Sequence, residues 1–516
     1  MQKLSTVFFA LFSAAVCFPG CSDKSSTAND ATVDGATDGH MAVDGDVDAE
    51  TTTDADVTAD GGSNNNNENP CAVNTWDPQD FAAVYDVGPQ QDYEDPSEVP
   101  WEEIGPGTLV RIYPREEPYR DKWVINSSGT QDQPIVVTGV IQEGERPIIS
   151  GENAKTRTEL DFWNEVRGLI KIGGSSVPSG DGGTWVYIEN LDLREARPQN
   201  QFTDSSGATQ SYSNNAAALY VEAGENLYFR GNRISWSGNG IFAGNGASDV
   251  FVQCNHIHDN GVPESYYEHN SYTEVMRITF EFNYYASPCP TCLGNNLKDR
   301  SAGTVIRYNW IEGGNRALDL VDSGNTEFID SAEYRSTLVY GNVLIQPEEP
   351  GNNQVIHYGG DSGDTTRYRK GTLHLYYNTV ISTREGNTTW MRLSTNDETC
   401  DARNNVVYVT AGPGRLAMLN DAGVLSLRNN WLSEGWVEAH GGFSGTITEE
   451  ETNYTGADPG FADFNSDNFS PGAGSALLGT AGEISPEAPP VDLMYVPHNG
   501  GEQRDETNDI GAFEGP

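Results

Sequence analysis

A solenoid of parallel β-strands, a β-helix, is the fold the sequence predicts, and three observations predict it. Eight asparagines (Asn232, Asn255, Asn283, Asn309, Asn342, Asn378, Asn405 and Asn430) recur at gaps of 23, 28, 26, 33, 36, 27 and 25 residues. A period in this range marks repeats that bury their faces only against their neighbours. Each asparagine closes a short run of alternating apolar and polar residues, the period-two pattern of a strand. The 56 glycines and a mean hydropathy of −0.54 suit a turn-rich β protein better than a helical one.

The N-terminus has the form of an export signal. Lys3 precedes an apolar run from Leu4 to Phe18 that is too short to span a bilayer. Gly20-Cys21 resembles a bacterial lipoprotein cleavage box, so residues 1–21 are expected to be a signal and Cys21 the lipidated residue. No Asp follows the cysteine, which by that analogy implies the outer membrane or cell surface, reached through the lipid anchor; plain secretion is the alternative. Residues 22–70 are rich in Asp, Thr, Ala, Gly and Asn. Such a segment cannot bury enough apolar area to offset its ordering entropy, and it reads as a self-repelling tether.

Residues 71–105 are expected to cap the solenoid, 106–440 to form its coils and 441–516 to wrap the far end. Gly107–Tyr113, Trp123–Asn126, Pro134–Val137, Pro147–Gly151 and Trp185–Asn190 read as early strands. Of the five cysteines after Cys21, Cys289 and Cys292 have the spacing of a small disulfide clip, and an odd total leaves at least one unpaired. Cys254 reads as a small core residue.

Aligning repeats on their asparagines sets Val250, Val252 and Cys254 level with Ile278, Phe280 and Phe282, and then with Ile306 and Tyr308, as inward positions. Gln253, Glu281 and Arg307 fall on the outer face, which predicts a Glu281–Arg307 ion pair between adjacent coils. The asparagines themselves are expected to make turns and to hydrogen-bond up the stack as a ladder.

Counting back from each asparagine exposes a second column. His269-Asn-Ser-Tyr272-Thr-Glu274 stacks on Asn295-Asn-Leu-Lys298-Asp-Arg300, with Tyr272 level with Lys298 and Glu274 with Arg300. Arg316-Ala-Leu-Asp319 and Gln354-Val-Ile-His357 continue it, giving the column Tyr272, Lys298, Asp319 and His357 with Arg300, Arg316 and Asp322 beside it. Titratable groups crowded at one position of four coils perturb one another, as acid and base chemistry requires. A salt-bridged surface ladder is the competing reading. Longer repeats after Asn255, Asn283, Asn309 and Asn342 would wall a groove beside the column.

With this coil pattern and the segment Asn295-Asn-Leu-Lys298-Asp-Arg300-Ser-Ala-Gly, the chain resembles right-handed parallel β-helix proteins of the pectate lyase and chondroitinase-B/alginate-lyase kind. The resemblance implies a polysaccharide lyase acting on an acidic glycan by β-elimination. It casts Lys298 as the base with a lowered proton affinity, Arg300 or Arg316 as the clamp on a uronate carboxylate, and Tyr272 or His269 as the proton donor. Asn295, Asp319, Asp322 and His357 would help bind substrate. The compact calcium cluster of such lyases is absent; Glu274 and Asp299 are the nearest candidates for Ca²⁺.

Two other readings stay open: a glycoside hydrolase on the same fold using Asp319 and Asp322, and a non-catalytic glycan-binding adhesin stacking sugars on Trp236, Trp310, Trp390 and Trp431. The 76 acidic residues against 30 Lys plus Arg, a net charge of −46, exclude a nucleic-acid partner. A monomer is expected.

Overall fold

The computed structural model describes residues 69–348, 351–450, 452–505 and 508–516. The expected signal, Cys21 and nearly all of the tether lie outside the described residues. The fold is a right-handed parallel β-helix, and a middle coil shows its plan. Ser271–Thr273, Met276–Glu281 and Tyr284–Tyr285 are three short strands, one on each of three faces. Each pairs in parallel with its counterparts on the coils before and after. The third face is a separate eleven-stranded sheet. Parallel pairing begins with Ala83–Val87 against Thr108–Ile112 and ends with Trp431–Ser433 against Tyr454–Gly456. The coils thus run beyond 106–440 at both ends, because Ala83–Val87, placed in the cap from the sequence, has an open strand to pair with.

The interior is built from rows of one residue per coil. Phe229, Val252, Phe280, Ile306, Val339, Leu375, Ala402 and Leu427 lie in successive register and are fully buried. The β-branched and aromatic residues that favour a pleated strand are thereby also the ones that fill the core.

The asparagine ladder forms, with one rung more than the sequence suggested. Nδ2 of Asn232 donates to Oδ1 of Asn255 at 3.1 Å, and the same bond repeats at 2.9–3.2 Å through Asn283, Asn309, Asn342, Asn378, Asn405 and Asn430 to Asn453. Each rung's backbone N–H donates to the same oxygen above it. The left-handed backbone is not at these asparagines but one residue earlier: Gly231, Cys254, Phe282, Tyr308, Gly341, Tyr377, Asn404 and Asn429 have φ between 52° and 64°. A non-glycine residue there costs roughly 1–2 kcal/mol, and the buried amide bonds that follow offset it.

That bend corrects the inward assignment of Cys254, Phe282 and Tyr308. The left-handed turn swings these side chains out of the solenoid core. Phe282 and Tyr308 join a second apolar cluster with Tyr340, Tyr376, Phe469, Val491 and Tyr495. Cys254 pairs with Cys71, so it is a disulfide half and not a core thiol. Cys289 and Cys292 are bonded as expected, and among the described residues Cys400 is the free cysteine, which is buried. The C-terminal segment wraps more than the far end. It runs back along the third face, with Leu477 and Ile510 on Trp431, Phe469 on Trp310, and a hairpin, Leu493–Val496 with Gly500–Gln503, beside Tyr284. The predicted Glu281–Arg307 pair is present at 2.6 Å.

Candidate active site

The polar column lies on the first face, and register places it rung by rung. Tyr272 is level with Lys298, Lys298 with Asp319, Asp319 with His357, and His357 with Arg392. The row extends the other way through Phe242 and Tyr220 to Lys171. In strands only three to six residues long, Leu297, Leu318, Ile356 and Met391 point inward and force their neighbours Lys298, Asp319, His357 and Arg392 outward.

Asp319 is the hub. It is 2 % exposed, and its oxygens accept from Lys298 Nζ and Asn295 Nδ2, both at 2.9 Å. His357 Nδ1 lies 2.8 Å from Asp319 Oδ1, and Arg316 reaches the same oxygen at 3.4 Å. Burial pushes the Asp319 carboxyl up, but Lys298, the His357 hydrogen bond and Arg316 outweigh it and hold it well below the usual carboxylate range. The ionised carboxylate accepts only, so Nδ1 of His357 donates and its Nε2 accepts from Ser394 Oγ at 2.9 Å. Burial, against the pull of Asp319, brings His357 down to about 4.

Lys298 does not have the character expected of a base. Its Nζ is held at 2.9 Å from Asp319 and 2.6 Å from Asp361. Burial lowers its proton affinity, yet the two carboxylates overcome both burial and the repulsion of Arg300, so the net shift is upward. Lys298 is a fixed cation. Asp361 also accepts from Arg300 Nη2 at 2.8 Å, and Lys298 and Arg300 pull its carboxyl down to about 2 against burial. Arg300 Nε donates to the Tyr272 hydroxyl oxygen at 3.1 Å, and the same guanidinium binds the backbone carbonyl of Asp322. His269 is buried edge-on to Tyr272; its Nδ1 accepts the backbone N–H of Asn295 at 2.9 Å. Burial, then the charge of Lys298, lowers it to about 3. A neutral His269 therefore carries its proton on Nε2 and has no free lone pair.

Other expected members are placed differently. Glu274 is level with Arg300 but turns to Ser323 Oγ and Gly324 N, at 2.6 and 2.7 Å. Asp299 is fully buried, with its oxygens bonded to Thr273, Thr304 and Arg369. These two do not share a calcium cage, and among the described residues no group of three or more His, Cys, Asp or Glu is arranged to hold a metal ion. Asp322 is 1 % exposed and accepts the backbone N–H of Asp361 at 2.7 Å, so it fixes the loop and does not face a substrate. Trp310, Trp390 and Trp431 are buried, which removes them as sugar platforms, and Trp236 lies under Arg197.

Sequence reasoning missed Asp361, Arg392 and Ser394. A signal for Asp361 was present: each site strand is followed within four residues by a charged side chain, Arg300 after Lys298, Asp322 after Asp319 and Asp361 after His357. Beside the column is a cleft of about 650 Å³ lined by Tyr266, Asn315, Arg316, Gly351, Asn352 and Asn353. Tyr266, 55 % exposed, comes from the long repeat after Asn255, and Gly351–Asn353 from the one after Asn342.

A family model described as a right handed beta helix region matches residues 170–332. Among solved structures, an alginate lyase from Paenibacillus sp. str. FPU-7 aligns at 12% identity over 63% of this chain and 95% of its own, with a TM-score of 0.43. The pectate lyase Pel9A aligns at 11% identity over 84% and 96%, TM-score 0.39. A GH136 lacto-N-biosidase from Eubacterium ramulus aligns at 12% over 72% and 68%, TM-score 0.39. None is similar enough to speak for activity; the fold rests on the strand register and the family match. No curated protein sequence matches the chain.

Proposed function

We propose that this is a carbohydrate-active enzyme, a polysaccharide lyase that cleaves an acidic glycan by β-elimination at Tyr272. The observation that carries this is the Tyr272 hydroxyl held at 3.1 Å by Arg300, one rung from the ionised Lys298, in a column whose Asp319 also meets Arg316 on the wall of an open cleft. The cations neutralise the carboxylate of a uronate, which makes the adjacent C–H acidic. The Tyr272 hydroxyl gives its proton to the leaving glycosidic oxygen and takes the C5 proton in its place, while the C4–O bond breaks and a C4=C5 double bond forms. Lys298 and Arg316 hold the charge that moves onto the carboxylate. The amides of Asn315, Asn352 and Asn353 and the face of Tyr266 suit the hydroxyls and ring of a neighbouring sugar. His269 and Asp319 keep Tyr272 and Lys298 in place.

A glycoside hydrolase is the second reading, favoured by the carboxylate pair Asp319 and Asp361 that Lys298 bridges. Against it, both carboxyls are held low, and neither supplies the protonated acid that hydrolysis needs. The test is a panel of uronate and neutral polysaccharides, with and without calcium. Lyase action yields unsaturated products that absorb in the ultraviolet; new reducing ends without absorbance would favour the hydrolase, and binding without turnover an adhesin. Export and lipidation at Cys21 are part of the same proposal: labelling with a fatty-acid analogue in cells should be lost in Cys21→Ala.

A further inference from the structure

The third face carries its own row: Asp192, Arg233, His256, Tyr284 and Trp310 lie in register. The C-terminal segment covers Trp310, and beside His256 the turn of its last hairpin places His498 5.3 Å from the His256 ring and 4.2 Å from Tyr284, with Tyr495 and Gly500 nearby. Between them is a cavity of about 400 Å³ whose wall includes Arg146, Arg233, His256 and His498. Among the described residues the Arg146 guanidinium donates from Nε alone, to the Gly231 carbonyl at 2.9 Å. The nearest acid to Arg233 is Asp192 at 3.7 Å, and Asp192 also serves Arg194. Among the described residues the ring nitrogens of His256 and His498 have no hydrogen-bond partner.

Two guanidinium groups and two imidazoles thus converge on one cavity in a chain of net charge −46. The two guanidinium charges repel one another, and Asp192, shared with Arg194, offsets them only in part. Burial first, then His258, His498, Arg233 and Arg146, pushes His256 down to about 3, so its ring is neutral and can donate a single N–H. The imidazoles alone would suit a transition metal. The adjacent arginines repel a metal cation and attract an anion, and among the described residues no group is arranged to hold a metal.

We infer that this pocket binds an oxyanion, the carboxylate or sulfate of an acidic sugar or the free inorganic ion, and that the bound anion ties the C-terminal hairpin to the solenoid. Arginine matches such a group bidentately, with the imidazole N–H groups as further donors. The cavity is larger than a bare ion needs, leaving room for one sugar ring. The site is on a different face from Tyr272 and does not depend on the reaction proposed there.

Calorimetric titration of the full chain at fixed ionic strength tests this, with sodium sulfate, glucuronate and neutral galactose as probes. Sulfate or glucuronate should bind and galactose should not. Arg146→Ala and His498→Ala should each weaken binding at least about tenfold, Arg146→Lys less so, and Lys298→Met should leave it unchanged. Glucuronate binding tighter than sulfate identifies a sugar as the ligand; the reverse identifies the free ion. Thermal melts in chloride establish that each variant is folded, and His498→Ala, in a hairpin turn, keeps the test available if Arg146→Ala is not. Absence of binding by either anion, binding by the folded variants equal to the parent, or loss of binding in Lys298→Met would overturn the inference.

Discussion

Two columns run up this solenoid, and they differ in kind. The asparagine ladder repeats one residue, and each amide is spent on the next rung and on a backbone carbonyl. The first-face column repeats a position but changes residue at every rung: Tyr272, Lys298, Asp319, His357, Arg392. A uniform stack serves the fold, because every coil needs the same bond. A heterogeneous stack of charges is costly to bury and serves no coil in particular, which points to chemistry.

Breaking each column should separate these roles. Lys298→Met leaves the Asp319 and Asp361 carboxylates without their shared cation, and should cost about 3–5 kcal/mol together with all turnover. Adding Asp361→Asn should recover part of the stability and none of the activity, as read from urea melts and product assays. Asn309→Ala orphans the Asn283 backbone N–H and the Phe280 carbonyl inside the ladder. The expected loss is about 2–4 kcal/mol, with kcat of the remaining folded enzyme nearly unchanged; a large fall in kcat would erase the distinction.

Acid sharpens the contrast further. His269 and His357 are held to about 3 and about 4, below their ordinary 6.5. The unfolded chain therefore takes up their protons first, and stability should decline as pH falls from 6.5 toward 4. Asp361, lowered from 3.8 to about 2, gives stability that is complete above 3.8 and is lost between 3.8 and 2. His357→Gln should flatten the upper part of the pH–stability curve, measured by thermal melts, and no ladder substitution should. The smallest effect belongs to the outer face. Arg428→Ala removes a 3.4 Å pair with Glu450 whose side chains are 43% and 44% exposed, and should cost about 0.2–1 kcal/mol.

The same contrast explains what could be read from the sequence. The ladder was legible because repetition is its signal, and register followed from it, placing Tyr272, Lys298, Asp319 and His357 correctly. Backbone handedness was not: the left-handed residue precedes the asparagine and turns Cys254 from the core position its alternation implies out to Cys71, 183 residues away. Protonation was not legible either. Arg300 beside Lys298 suggested a lowered lysine, but Asp319 on the next rung and Asp361, which arrives from a loop 63 residues on, together reverse the sign. Charges converging from distant loops leave no periodic trace.

The central claim is that Tyr272 moves the proton while Lys298 and Arg300 stay charged. Tyr272→Phe removes one oxygen and keeps the ring. On the best uronate polymer of the panel, ultraviolet absorbance of unsaturated ends should appear with the parent enzyme and be lost in Tyr272→Phe, with polymer binding retained. Undiminished absorbance in the variant, or reducing ends without absorbance in the parent, would contradict it.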